Sequence, residues 1–133
     1  MLDSDHRKFH AELNNKIILL IVGSPDVNNP RHVNLEYIQS FKGSNSIIFL
    51  GNRNDIRELL SASDIFIYPS YYREGIPRGI LEAASMSLPI ITTDMPGCKL
   101  TVVSNSNGYL IPSRSTNAII NIIHHVLLNS NQL

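Results

Sequence analysis

Two carboxylates with seven residues between them, Glu74 and Glu82, are the residues of this chain best suited to chemistry. Glu74 is followed by Gly75, which lets a ligand approach the backbone, and by Pro77, which suits the first turn of a helix. A helix starting there directs free N–H groups and a partial positive charge at a bound anion such as a diphosphate. Glu82 lies further along the same helix, and side chains lean toward a helix N-terminus, so its carboxylate reaches the same ligand. A carboxylate accepts two hydrogen bonds at once, which fits the vicinal hydroxyls of a ribose.

The apolar pattern places both carboxylates just beyond a predicted strand. Strands are predicted over 16–22, 46–50, 64–68, 89–93 and 109–111. Helices are predicted to open at Asn34, Asp55, Pro77 and Ser115 or Thr116. Their alternation predicts an α/β fold, a single Rossmann-like domain whose mostly parallel sheet is flanked by helices. Ligands bind beyond the carboxyl ends of such strands, so the candidate loops are 23–30, 51–55, 69–76 and 94–99.

Two of these helices carry more detailed predictions. Asp55 followed by Glu58 resembles a capping box, in which the side chain of Asp55 bonds the first turn. The helix that opens near Pro77 is predicted to bury Ile80, Leu81 and Ala84.

Composition narrows the class of protein. The chain has 133 residues, which is one domain's worth, and 43% of them are hydrophobic, so disorder is disfavoured. Eleven basic residues cancel eleven acidic ones, which leaves no electrostatic basis for binding nucleic acid. One cysteine, Cys98, and no apolar run near the ~20 residues of a membrane span predict a cytoplasmic chain without a direct membrane span.

The order of these blocks resembles the C-terminal, nucleotide-sugar-binding domain of family 4 glycosyltransferases of the GT-B fold. The segment PSYYREGIPRGILEAA at 69–84 carries the family's E-x7-E spacing. The matching blocks around it are VGSPDVNNP at 22–30, IIFLGNRNDIRELLSASDIFIYPS at 47–70, PIITTDMPGCK at 89–99 and NGYLIP at 107–112. The residues of these blocks are most similar to those of bacterial enzymes of exopolysaccharide, capsule or O-antigen assembly.

The resemblance implies roles for the matching residues. Glu82 is expected to bind the ribose hydroxyls. Glu74 is expected to be the catalytic carboxylate, which either stabilises positive charge at the anomeric carbon or orients a donor hydroxyl. Gly75, Ile76 and Pro77 are expected to surround the donor sugar, with N–H groups from the first two only. Transfer would proceed with retention of configuration, without a metal or other cofactor, from a nucleotide-sugar taken here to be a UDP-sugar.

Four further residues receive roles in the same way. Asn52, Arg53 and Asp55 stand where the family contacts the base of the nucleotide, and Asp55 is also interpreted as a helix cap. Arg78 is interpreted as a donor-binding residue that contacts phosphate, with a plain surface charge as the alternative.

The chain also departs from the family pattern. Residues 1–133 match only part of the domain: its first strand, its basic diphosphate-gripping loop, its C-terminal crossover helix and the preceding acceptor domain are not found in the sequence. Ser87 stands where a glycine is usual, and Leu100 where an acidic residue is usual. We therefore expect a truncated donor-binding half that is inactive alone and works with a GT-B N-terminal domain on another chain. The alternative is a non-catalytic remnant or partner-binding half-domain; a fragment of a GT-B epimerase is disfavoured by the block at 69–78.

Overall fold

Short apolar runs rich in β-branched residues form the strands of this chain, and the amphipathic segments between them form its helices. The computed structural model describes residues 17–129, which fall into two units that divide between Asn54 and Asp55. All strand pairing is parallel within the described residues, so the predicted α/β class is confirmed.

The first unit is a two-stranded parallel sheet with one short helix. Strand β1 (Leu19–Val22) pairs with β2 (Ile47–Gly51), and helix α1 (Leu35–Gln39) lies between them in sequence. Asn34 caps α1 as predicted, because its side chain accepts a hydrogen bond from the N–H of Glu36 at 2.9 Å. The strand predicted over 16–22 begins at Leu19, and its position 16 lies outside the described residues.

The second unit is a three-stranded parallel sheet in the order β3-β4-β5. Its strands are β3 (Phe66–Tyr68), β4 (Ile90–Thr93) and β5 (Gly108–Ile111). Its helices are α2 (Ile56–Ser61), α3 (Arg78–Ser85), α4 (Pro96–Lys99) and α5 (Thr116–Leu128). Helix α3 packs against β3 and β4, α4 against β4, and α5 against β5. The loops after β3, β4 and β5 therefore share the carboxyl edge of one sheet.

The core of the second unit lies between this sheet and helices α3 and α4. Ile80, Ile90, Cys98 and Val102 form its buried centre. The thiol of Cys98 is fully buried, which agrees with an ordinary core thiol. Helix α3 buries Ile80 and Ala83, whereas Leu81 and Ala84, predicted as part of the same face, are exposed. The prediction followed apolar residue types, but the position of a residue around the helix decides its burial.

Helix α3 ends in a Schellman motif that requires a left-handed residue. The N–H of Ser87 donates to the carbonyl of Ala84, and the N–H of Leu88 donates to the carbonyl of Ala83. Ser87 itself has a φ of 60°, a conformation that glycine adopts without a Cβ penalty. Glycine is usual at this position in the family because it adopts a positive φ without strain. Ser87 adopts the same positive φ although it carries a Cβ, so its backbone is strained.

Two local predictions need correction. Asp55 occupies the N-cap position of α2, but its side chain makes no capping hydrogen bond, so the expected capping box is not formed. The segment after β4, predicted as a loop, contains the short helix α4, which Pro96 begins. Among residues 17–129 no helix is both long enough and apolar enough to cross a bilayer.

Candidate functional site

The candidate site is the loop between β3 and α3, at the carboxyl edge of the three-stranded sheet. Two fully buried threonines at the end of β4 hold the start of this loop. The hydroxyl of Thr92 donates to the carbonyl of Tyr68 at 2.7 Å, and the hydroxyl of Thr93 donates to the carbonyl of Ser70 at 2.6 Å. A buried hydroxyl needs a partner, and here each one ties the loop to the neighbouring strand.

Glu74 is exposed, but one of its carboxylate oxygens is held by two hydroxyl groups. Oε1 accepts hydrogen bonds from the phenol of Tyr68 at 3.1 Å and from the hydroxyl of Ser70 at 2.9 Å. The other oxygen, Oε2, makes no hydrogen bond to any residue between 17 and 129. The carboxylate is thus oriented by the protein on one side and open to a ligand on the other.

Tyr68 is the residue of this site with a strongly perturbed ionisation. Burial at the end of β3 raises the pKa of its phenol, the hydrogen bond and negative charge of Glu74 raise it in the same sense, and together they bring it from 10.0 to about 12. The phenol therefore stays protonated and remains a donor across the physiological pH range.

Helix α4 approaches the site loop so closely that only glycine fits at position 97. A Cβ on Gly97 would lie 2.5 Å from the carbonyl oxygen of Glu74 and 2.6 Å from the carbonyl carbon of Gly75, and nearer still to the oxygen of Gly75. By contrast, a Cβ on Gly75 would meet no atom within 4 Å. Backbone packing against α4 thus sets the position of the loop at Glu74 and Gly75.

Main-chain donors lie between Glu74 and helix α3. The N–H groups of Gly75 and Ile76 have no acceptor among residues 17–129. Pro77 is buried and takes the N-cap position, with its carbonyl accepting from the N–H of Ile80 at 3.1 Å. It was predicted in the first helical turn and lies one position earlier. The free N–H groups and the helix N-terminus suit an anionic or hydroxyl-bearing ligand.

Glu82 and Arg78 are neighbours on α3. The Nε of Arg78 lies 3.3 Å from Oε1 of Glu82, an i, i+4 ion pair whose side chains are 92% and 42% exposed. Exposed pairs of this kind contribute little and are screened by salt. Both side chains are therefore free to exchange this contact for a ligand.

A stack of side chains borders the same edge of the sheet. The rings of Tyr71 and Tyr72 stack at 4.5 Å between centroids, and the guanidinium of Arg114 lies 4.5 Å above the ring of Tyr71. Tyr71 therefore packs within the protein, while Tyr72 stays 45% exposed. Arg114 comes from the loop after β5 and was not predicted as part of the site.

The residues predicted to contact the base fall in both units. Asn52 follows β2 in the first unit, where its side-chain oxygen accepts from the hydroxyl of Ser24 at 3.2 Å. Arg53 is exposed in the same unit, and Asp55 begins the second unit at the start of α2. The second unit by itself brings together the other predicted residues: Glu74, Gly75, Ile76, Pro77, Arg78 and Glu82.

A cavity of about 740 Å³ lies elsewhere in the second unit, at the amino ends of β4 and β5. Its lining includes Leu88, Asn107, His125 and Asn129. Since ligands of parallel α/β sheets bind at the carboxyl edge, the chemistry of the site points to the loop at 69–77 and away from this cavity. Within residues 17–129, no three His, Cys, Asp or Glu side chains gather in a way that would hold a metal ion.

Sequence reasoning missed the groups that support Glu74: Tyr68, Ser70, Thr93 and Gly97. A usable signal was present, because a strand that ends in two threonines and is buried on both faces must give those hydroxyls partners. No local pattern indicates that a tyrosine six positions before Glu74 donates to it.

The family model described as "Glycosyl transferases group 1" matches residues 6–133 of the chain. Among curated relatives, the chain is 35% identical to UDP-Gal:alpha-D-GlcNAc-diphosphoundecaprenol alpha-1,3-galactosyltransferase of Escherichia coli, over 82% of this chain and 27% of that protein. It is 39% identical to N,N'-diacetylbacillosaminyl-diphospho-undecaprenol alpha-1,3-N-acetylgalactosaminyltransferase of Campylobacter jejuni, over 73% of this chain and 23% of that protein. The chain thus spans about a quarter of the length of these relatives.

The fold agrees with solved structures. The chain matches HepE of Anabaena in complex with UDP with a TM-score of 0.76 and 24% identity, over 96% of this chain and 36% of that one. It also matches sucrose-phosphate synthase of Thermosynechococcus elongatus with a TM-score of 0.69 and 26% identity, over 83% of this chain and 29% of that one.

Proposed function

The chain belongs to the glycosyl transferases group 1 family, and we propose that it binds the nucleotide-sugar donor of a retaining, metal-independent glycosyltransferase. The product would be a bacterial surface polysaccharide or a related lipid-linked glycan. The observation that carries this proposal is the geometry of Glu74: one carboxylate oxygen held by two hydroxyls, the other open, beside two main-chain N–H groups without acceptors.

The proposal assigns a role to each part of the site. Glu82 binds the ribose hydroxyls after exchanging its weak contact with Arg78, which then becomes available to the diphosphate. The N–H groups of Gly75 and Ile76 contact the donor sugar, and the N-terminus of α3 stabilises the negative charge that develops on the departing diphosphate. The open oxygen of Glu74 either stabilises positive charge at the anomeric carbon or orients a donor hydroxyl.

UDP is the proposed nucleotide. Support comes from one relative whose name specifies UDP-Gal, and from a structural neighbour that was solved with UDP. Asn52, Arg53 and Asp55 remain the proposed contacts to the base.

The test is ligand-observed NMR on the purified chain with UDP, GDP and ADP. We expect UDP to bind and the Glu82→Ala variant to lose about tenfold in affinity, since a carboxylate that bonds two hydroxyls contributes on the order of 1.4 kcal/mol or more. Glu58→Ala, which removes an exposed carboxylate from the first turn of α2, is the matched control and is expected to leave binding unchanged. Binding of UDP that is equal in wild type and Glu82→Ala would refute the assigned role of Glu82. A folded chain that binds no nucleotide would refute the proposal.

A partner-binding half-domain is the second candidate. It is favoured by Leu100 and Val103, two large apolar side chains that follow α4 and are 72% and 69% exposed. Sedimentation velocity of the wild type and of Leu100→Glu tests it: self-association that the substitution abolishes supports a docking role, and two monomeric species contradict self-association.

A further inference from the structure

The phenol of Tyr68 makes a contact that no part of the family resemblance assigns. Tyr68 ends strand β3, pairs with Thr92 of β4 and packs against the buried core of the second unit. Its ring also stacks on Phe66, with 6.3 Å between centroids and 14° between planes. The hydroxyl that it donates to Oε1 of Glu74 is therefore fixed by strand pairing and by core packing on the ring.

Ser70, the second donor to Glu74, is anchored differently. It lies in the loop, where its own carbonyl is held by Thr93 and its hydroxyl also accepts from the N–H of Tyr72 at 3.2 Å. Ser70 thus binds Glu74 from within the loop itself, four positions away along the chain. Tyr68 binds Glu74 from strand β3, and so it links the carboxylate directly to the sheet and the core of the unit.

We propose that Tyr68 is a positioning residue, whose hydrogen bond to Oε1 holds Oε2 of Glu74 toward the sugar of the bound donor. This inference rests on the proposed function, because it assumes that Glu74 meets the donor sugar. The consequence is specific: removing the phenol hydroxyl weakens recognition of the sugar, while the nucleotide, bound through Glu82 and the helix N-terminus, is unaffected.

The protonation state of Tyr68 is consistent with this role. Burial and the neighbouring Glu74 keep its pKa near 12, so the hydroxyl donates at every pH at which the protein would work. A simple packing role would be served equally well by phenylalanine, which makes Tyr68→Phe the discriminating change.

The experiment compares the affinities of UDP and of a panel of UDP-sugars (UDP-glucose, UDP-galactose and UDP-N-acetylglucosamine) for three forms of the chain. In the wild type we expect one UDP-sugar to bind more tightly than UDP. In Tyr68→Phe we expect that preference to fall by roughly tenfold, because the variant loses the hydrogen bond from Tyr68 to Glu74 and a hydrogen bond to a charged group is worth about this factor. The affinity for UDP is expected to stay unchanged within about twofold. Tyr109→Phe removes a hydroxyl from β5 of the same sheet and is expected to retain the full preference.

A second measurement tests the contact without a ligand. In a pH titration of ¹³C-labelled tyrosine by NMR, Glu74→Gln is expected to move the pKa of Tyr68 from about 12 toward its ordinary value of 10.0, with the part due to burial remaining. An unchanged titration would mean that the two groups do not meet in solution and would overturn the inference.

The outcomes separate the two proposals. A sugar preference that survives in Tyr68→Phe overturns the positioning role and leaves the proposed function standing. A wild-type chain that binds neither UDP nor any UDP-sugar refutes the proposed function and this inference with it. A preference lost equally in Tyr109→Phe would show a general effect of packing and would also overturn the inference.

Discussion

Gly97→Ala is expected to destabilise the protein because it forces α4 and the site loop apart. The added Cβ would lie 2.5 Å from the carbonyl oxygen of Glu74 and 2.6 Å from the carbonyl carbon of Gly75, whereas ordinary van der Waals contact is 3.4–4 Å. Both obstacles are backbone atoms, and Gly97 itself is buried, so no flexible side chain can yield. One of the two segments must move by about 1 Å, and overpacking of this kind costs ~1–3 kcal/mol.

The assay is equilibrium unfolding in urea, with thermal unfolding as a second measure. For a chain of this length, 1 kcal/mol corresponds to roughly 4 °C in Tm, so the expected decrease is about 4–12 °C. Gly75→Ala is the matched control, since it adds the same methyl group one position after Glu74 but meets no atom within 4 Å. Its effect should stay below about 1 kcal/mol and lie in the stabilising direction, because alanine restricts the unfolded chain.

Gly97→Ala also tests the candidate site. A displacement of about 1 Å at Glu74 is enough to cost on the order of 100-fold in a positioned reaction. We expect Gly97→Ala to lose the preference for a UDP-sugar over UDP more than it loses UDP itself. Wild-type stability in Gly97→Ala, or equal destabilisation by Gly75→Ala, would refute the close approach on which this reasoning depends.

Three further changes have expected outcomes of definite sign. Ser87→Gly should stabilise the protein by roughly 1 kcal/mol in urea unfolding, because it relieves the left-handed φ of 60°. The control Ser85→Gly, in the last turn of α3, should destabilise the protein by about 0.5 kcal/mol. A change of the same sign in both variants would contradict this reasoning. Thr93→Val should cost about 1–3 kcal/mol in the same assay, since it leaves the carbonyl of Ser70 without its buried donor, and a neutral result would show that water replaces the hydroxyl. Because the folded-state pKa of Tyr68 is raised from 10.0 to about 12, its contribution to stability is complete below pH 10 and is lost as the pH rises toward 12. Urea unfolding at pH 9 and pH 11 should therefore show a smaller alkaline loss for Tyr68→Phe than for the wild type, and equal losses would count against the shifted pKa.

Much of the fold could be predicted because its signals are local. The strand and helix pattern follows from short apolar runs separated by turn residues, and the caps at Asn34 and Ser115 accept the hydrogen bonds expected of them. The capping box predicted at Asp55 is not formed, because the backbone of Asp55 does not adopt the conformation that would bring its side chain to the N–H groups of the first turn. Helix α4 was missed because a single turn carries no periodicity.

The candidate site divides in the same way. Glu74 and Glu82 were predicted from their positions around a helix start together with the family resemblance of the surrounding blocks, and the structure places them on the loop and helix predicted for them. Whether they bind donor and ribose stays a prediction, as do the roles of Asn52, Arg53 and Asp55 in binding the base. The exposed position of Leu81 shows the limit of residue type alone, since rotation around the helix decides which apolar residue is buried.

The sequence by itself determined the α/β class, the approximate strands and helices, and which two carboxylates, Glu74 and Glu82, are the candidates for the site. Only the tertiary structure decided what holds Glu74. Parallel pairing of β3 with β4 brings Thr93 to Ser70 across 23 positions, and the packing of α4 brings Gly97 under the backbone of Glu74. The physical reason is that spacing along a chain encodes contacts within one turn or strand, whereas contacts between segments exist only after the sheet has set their distance.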